Sequence, residues 1–265
     1  MLIDGERCTV GSLSGGCLEE EVAQRAQELL RSGEASLMSF DTRRRFGCNG
    51  TIEILIERLE QEFIQELAGH LQRRRKCFVA TVFTGNEATL GSAVLPLGAA
   101  APDGAFVQEI HPRPQLIIFG DGPDSAPLRL FCRILGWEAI EVENASDLPE
   151  EADEWTAAII KSHNYGRDFA ALRALLPLPF RYLGLIGPRL RRDQLLADVL
   201  DSGVLPNADL FAPTGLDLGS ETPEEIALAT IAEVQRAFSR GTGVSLREVK
   251  APIHHVPAFA SVLTP

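Results

Sequence analysis

The sequence predicts an α/β protein of two domains, and three observations carry that prediction. From about residue 113, short apolar runs alternate with segments of helical length and period, the pattern of a parallel sheet covered by helices on both faces. A glycine-rich turn, Gly120-Asp121-Gly122-Pro123-Asp124-Ser125, stands directly between one such strand, QLIIF, and the helix after it. Before residue 113, strands and helices mix without that alternation, which reads as a smaller α+β domain. The small, polar run GAAAPDG and the prolines of EIHPRP place the boundary near residue 112, giving domains 1–112 and 113–265.

In chain order, Leu2–Val10 reads as a hairpin turning at Asp4–Gly5. Leu18, Val22, Ala26 and Leu29 recur at helical spacing, so Leu18–Leu30 reads as a helix. Strands follow at Ser36–Phe40 and Thr51–Glu57, then a helix from Gln61 to Arg75 and a strand at Cys77–Phe83. In the second domain, strands read at Gln115–Phe119, Glu138–Val142, Ala157–Lys161 and Tyr182–Ile186. Helices read at Ser125–Leu135, Asp168–Leu176, Arg189–Leu200 and Pro223–Phe238. Thr222-Pro223-Glu224-Glu225 is a capping box with proline at the first helical position, a structural signal.

Composition narrows the function classes. The 265 residues carry a net charge of −12, which argues against a nucleic-acid-binding surface. The basic clusters Arg43–Arg45, Arg73–Lys76 and Arg189–Arg192 are short and read as solvated faces or helix ends. No run of about 18 apolar residues occurs and MLIDGERC lacks signal-peptide features, so no membrane span and a cytoplasmic location are expected. Five widely spaced cysteines without CxxC or Cys/His pairing point to reduced thiols, not to disulfides or zinc. Cys8, Cys77 and Cys132 fall in apolar patterns and are expected to be packed. There is no G-x-S-x-G elbow, H-E-x-x-H pair or Walker A run, so the common hydrolase, metalloprotease and P-loop readings have no support.

Three turns carry candidate chemistry. In GSLSGGCLEEE, Ser14, Gly15, Gly16 and Cys17 sit at a predicted helix start, where free N–H groups and the helix dipole hold anions and lower a thiol pKa. Glu19, Glu20 and Glu21 oppose that effect, and a tight turn with a partly buried structural cysteine is the competing reading. Gly47, Cys48 and Gly50 repeat the theme of a cysteine among glycines. The Gly120–Ser125 turn approximates G-x-G-x-x-G, with Gly120, Gly122 and Asp124 in the loop and small Ser125 at the third glycine position. Glu143, 21 residues beyond Gly122, ends the next strand where an acid takes a ribose hydroxyl. Pro123 removes a backbone donor and weakens the phosphate cradle. His163, in Lys161-Ser162-His163-Asn164, stands where a strand end lines such a cleft; it reads equally as a ligand-orienting or proton-moving group and as a loop residue hydrogen-bonded to its neighbours.

Taken together, GSLSGGCLEEEV, FGCNGTIEILIE, IHPRPQLIIFGDGPDSAPL, LGW, SHNYGRD, RYLGLIGPRLRR and APTGLDLGSETPEEIAL resemble the XdhC/CoxI family of xanthine dehydrogenase accessory factors, in the family's order and over nearly the whole chain. The resemblance implies an N-terminal XdhC/CoxI domain and a C-terminal Rossmann-like domain. It implies a maturation factor more than a catalyst: a homodimer that binds molybdenum cofactor (molybdopterin), assists its sulfuration with a cysteine desulfurase, and delivers it to a molybdenum hydroxylase client. On that reading Ser14–Cys17 and Gly47–Gly50 hold the cofactor, Cys17 or Cys48 stands near its sulfur or metal, and Gly120–Ser125 takes a phosphate or nucleotide. The family has histidine more often where this chain has Pro123, and usually an upstream strand and arginine-containing loop before the position of Met1, so a short N-terminal domain is expected. Two alternatives remain: an oxidoreductase using NAD(P) with Glu143 on the ribose, and a scaffold that binds only the client enzyme.

Overall fold

The chain divides into two units, Met1–His111 and a second beginning at Pro112. The computed structural model describes residues 1–13, 17–41, 50–85 and 89–250.

In the first unit, β1 (Leu2–Ile3) and β2 (Thr9–Val10) form a short antiparallel hairpin. Its turn is held by the Asp4 carboxylate, which accepts from the backbone N–H groups of Glu6 and Cys8. α1 (Cys17–Ser32) packs Leu18, Val22, Ala26 and Leu29 against Phe40 and Ile56. Those two belong to the antiparallel pair β3 (Ser36–Asp41) and β4 (Thr51–Ile56). α2 (Gln61–Gln72) lays Phe63 and Leu67 on Cys77, Val79 and Val94. It stops before the expected Arg75, because Arg74 takes a left-handed φ of 52°. β5 (Cys77–Val82) is the centre of a three-stranded antiparallel sheet, between β6 (Gly91–Leu95) and β7 (Phe106–Ile110). Neither β6 nor β7 is expected from the sequence: both are five residues long with few β-branched positions, and β7 lies in the stretch that reads as linker.

The second unit is a five-stranded sheet in the order β12-β11-β10-β8-β9, with every neighbouring pair parallel. Its elements are β8 (Gln115–Phe119), α3 (Ser125–Ile134), β9 (Glu138–Val142), β10 (Thr156–Ile160) and α4 (Tyr165–Leu175). They are followed by β11 (Tyr182–Leu185), α5 (Arg189–Asp201), the two-residue β12 (Leu210–Phe211) and α6 (Pro223–Ser239). Alternate strand residues serve opposite faces. Leu116, Ile118, Ala157 and Ile159 pack under α3 and α6, while Ile117, Phe119, Ala158 and Ile160 pack under α4 and α5. Burial on both faces is why these strands read as unbroken apolar runs and not as alternation. α4 begins three residues before the expected Asp168, because Asn164 caps it by accepting from the Arg167 N–H. α6 has the expected capping box, with Thr222 and Glu225 each bonding the other's backbone.

Candidate functional site

The order of the second sheet reverses between β8 and β10, and α3 and α4, which follow them, cover opposite faces. The two connections therefore part at the carboxyl edge, the place where open α/β sheets form a binding crevice. The loop from β8 passes so close to the loop from β10 that a Cβ on Gly120 would come within 2.7 Å of the Ser162 backbone. With a φ of +111° as well, position 120 admits only glycine without rearrangement.

A buried ion pair fixes the turn from below. Lys161, the residue after β10, is fully buried, and its Nζ donates to Asp124 Oδ1 at 2.8 Å and to the Asp121 carbonyl at 3.0 Å. An ammonium taken out of water is stabilised only by such partners, so the pair specifies the turn's path. A fully buried carboxylate, Asp168 of α4, accepts from the Ser162 N–H at 3.1 Å and from Arg191 of α5 at 2.6 Å. The exits of β8, β10 and β11 are thus tied together by charge-assisted bonds.

Above the turn lies a cleft of about 420 Å³, lined by Gly120, Asp121, Gly122, Ser125, Glu141, Glu143, Asn144 and Asp147. Arg167 donates to Asp121 Oδ1 at 3.0 Å and to the Glu143 carbonyl at 2.8 Å, with its guanidinium over the Phe119 ring. The backbone N–H of Asp121 and, after it, Arg167 hold the Asp121 carboxyl below the usual carboxylate range. The wall carries four carboxylic side chains and no basic one among the lining residues. At the α3 N-terminus Pro123 and Pro127 have no N–H, and those of Ser125 and Ala126 bond the carbonyls of Gly122 and Pro123. Ser125 lines the cleft, and its hydroxyl is buried with no hydrogen-bond partner among the described residues.

Of the residues expected in the site, Gly120, Gly122, Ser125 and Glu143 come together at this cleft. Asp124 does not line it; its carboxylate is turned beneath the loop to Lys161, so its place is in holding the turn. His163 is exposed, with a left-handed φ of 56°, and does not line the cleft. Gly50 is exposed just before β4. Ser14, Gly15, Gly16, Gly47 and Cys48 lie outside the described residues, and Cys17 is described only as the backbone start of α1. Among the other cysteines, Cys77 and Cys132 are buried as expected, but Cys8 is exposed. The two-residue strands beside Cys8 form a hairpin too short to cover it. Burial raises the Cys77 thiol pKa and lifts that of Cys132 to about 11. Among the described residues no cluster of His, Cys, Asp and Glu could hold a metal ion, and no helix is long and apolar enough to cross a membrane.

Lys161, Arg167, Asp168 and Arg191 carry no individual role in the sequence reading. The usable signal is a lysine at the end of the largely apolar strand TAAII, a charge whose position in a sheet buried on both faces demands a partner.

Fold and cleft define a doubly wound α/β unit with an open cleft at its carboxyl edge, alongside a smaller α+β unit. The XdhC Rossmann domain model matches residues 116–234, and the XdhC and CoxI family model matches residues 1–41. The chain belongs to the XdhC/CoxI family. It is 29% identical to a probable xanthine dehydrogenase subunit of Bacillus subtilis (strain 168), over 91% of this chain and 88% of that protein. It is 25% identical to the uncharacterized protein YqeB of Escherichia coli (strain K12), over 74% of this chain and 40% of that one. A crystal structure from Bacillus halodurans described as a xanthine dehydrogenase shares the fold, with a TM-score of 0.72 and 24% identity over 92% of this chain and 87% of that one.

Proposed function

We propose that the protein is an accessory factor for a xanthine dehydrogenase-type molybdenum hydroxylase, handling the client's molybdenum cofactor as cargo. The observation that carries this reading is that segments of both parts of the family, 1–41 and 116–234, occur in one chain, beside a relative named for xanthine dehydrogenase. Ser14–Cys17 and Gly47–Gly50 hold the anionic cargo through backbone N–H groups, with Cys17 or Cys48 near its sulfur or metal. A cysteine desulfurase supplies the sulfur, and a homodimer in the cytoplasm delivers the product to the client. The second unit contributes the cleft at Gly120–Ser125, which supports a nucleotide-type ligand there, with His163 near the same edge.

The test is anaerobic purification from cells that make molybdenum cofactor, followed by molybdenum analysis and pterin fluorescence. Wild-type protein is expected to carry both molybdenum and pterin, and Cys17→Ala to lose most of each. Wild-type protein free of both would overturn the cofactor-handling role. The cleft also favours a second reading, a nicotinamide-dependent oxidoreductase; NADH turnover with a substrate, abolished in Gly122→Arg, is its signature.

A further inference from the structure

Arg167 stands between two cavities at the carboxyl edge of the parallel sheet. The cleft over the glycine turn, about 420 Å³, is walled by carboxylic side chains. A second cavity of about 400 Å³ lies on the α4 side, lined by Phe119, Ala145, Asn164 and Ala170. Glu143 and Asn144 line both, so the two cavities share a wall. Arg167 lines the second cavity, and its guanidinium reaches Asp121 of the first at 3.0 Å and the Glu143 carbonyl on the shared wall at 2.8 Å.

The base of this arm is fixed and its far end is weakly tethered. Asn164 accepts from the Arg167 N–H at 3.1 Å, and the next residue, Asp168, is fully buried and bonded to Ser162 and Arg191. The Arg167 side chain is 36% exposed and that of its partner Asp121 is 67% exposed. An ion pair so exposed contributes little, and salt screens it. The Phe119 ring, with its centroid 5.7 Å from the guanidinium carbon, adds a modest attraction. Swinging the arm aside needs rotation of the side chain alone, with no change in α4. The cavities it divides differ in character. The first offers acceptors to hydroxyl groups, whereas the second has an apolar floor edged by the amides of Asn144 and Asn164, which suits a planar ring with polar edges.

We propose that Arg167 is a strap that keeps this crevice divided in the free protein, and that a ligand filling both cavities must displace it from Asp121. This role rests on reading the second-unit cleft as a nucleotide-type site and is independent of the molybdenum-cofactor role. With the strap closed, each cavity admits only a fragment. With it open, the sugar and the ring of one nucleoside lie in adjacent halves. The strap adds no contact to the ligand; it lowers affinity in proportion to the fraction of molecules in which it is open.

The experiment uses the full chain in calorimetric titrations with adenosine, a neutral probe with no charge of its own for salt to screen, at about 50 mM and about 500 mM sodium chloride. At the lower salt Arg167→Ala is expected to bind adenosine about tenfold tighter than wild type, and Asp121→Asn about threefold tighter. Arg167→Met, similar in length but without bonds to Asp121 or Glu143, is expected to gain at least about fivefold. Raising the salt strengthens wild-type binding about threefold and leaves Arg167→Ala within about 1.5-fold, a signature that a wider cavity alone does not give. Weaker binding by Arg167→Ala would mean that the arginine holds the ligand, and overturns the strap. So does a gain in Arg167→Ala with none in Arg167→Met, or wild-type binding insensitive to salt. No adenosine binding by wild type or any variant at about 5 mM overturns the nucleotide-type reading and the strap with it. Molybdenum and pterin content of the Cys17→Ala variant is untouched by these outcomes, so the cofactor role is judged separately.

Discussion

From Pro112 on, five strands run parallel, the central three buried on both faces, and the exits of those three are bonded to one another through Lys161–Asp124 and Asp168–Arg191. Before it, the described strands pair as two short antiparallel hairpins and one three-stranded sheet, and α2 has no fully buried residue. The second unit spends its apolar residues on two extensive clusters, one on each face of a single sheet; the first divides a smaller set between two separate clusters. The difference teaches where precision resides. A glycine turn held to a ligand's dimensions needs a rigid platform, and only the second unit supplies one among the described residues.

Thiol labelling tests this contrast with the largest expected effect. Cys77 and Cys132 lie one in each unit, both buried, and each reports opening of its own unit. At pH 8, site-resolved mass spectrometry after alkylation is expected to find Cys132 at least about a hundredfold slower than exposed Cys8, with Cys77 between them. Equal rates at Cys77 and Cys132 would erase the proposed difference in rigidity.

Next comes the ion pair under the turn. Lys161→Met leaves Asp124 without its cation and is expected to lower the stability of the second unit by about 3 kcal/mol in chemical denaturation. Asp124 is partly exposed, so water recovers some of the loss, and the double variant Lys161→Met/Asp124→Leu is expected to regain most of it. A double variant no better than the single would mean that the pair has no bearing on stability beyond packing. Core truncation compares the units directly. Leu172→Ala, in the fully buried core, is expected to cost about 3 kcal/mol, and Leu37→Ala, 38% exposed, less than about 0.5 kcal/mol.

Smaller effects lie at the capping box of α6. Thr222→Ala removes the acceptor for the Glu225 N–H and is expected to cost about 1 kcal/mol. The N–H groups of Glu221 and Thr222 hold the Glu225 carboxyl below its ordinary value. Its stabilisation is therefore complete above the unfolded carboxylate pKa, about 4.3, and is lost as pH falls through the lower folded value. Asp121 contributes with the same sign. In thermal melts, Glu225→Gln is expected to lower Tm at neutral pH, to leave it nearly unchanged at the acid end, and so to flatten the fall between them.

Much of the second unit was legible in the sequence, because strands buried on both faces are continuous apolar runs and its helices carry clear periodicity. That Gly120, Gly122, Ser125 and Glu143 line one cleft was legible, since spacing along a strand-turn-helix unit fixes their neighbourhood. β6, β7 and the two-residue β12 were not, because they are short and take their stability from pairing with distant strands. Asp124 fits the loop motif equally well as a ligand residue and as a brace; only the position of Lys161, 37 residues away, decided between them.

By itself the sequence determined the doubly wound class, the place of the glycine turn and the family, all of which depend on local pattern and motif order. The tertiary structure decided which charges face the cleft and which are consumed beneath it. It also decided that the N–H groups of Ser125 and Ala126 are bonded within the turn and that Ser125 Oγ has no partner among the described residues. Those properties depend on approaches between residues far apart in the chain, where burial makes each unpaired polar group costly, and no local pattern encodes them.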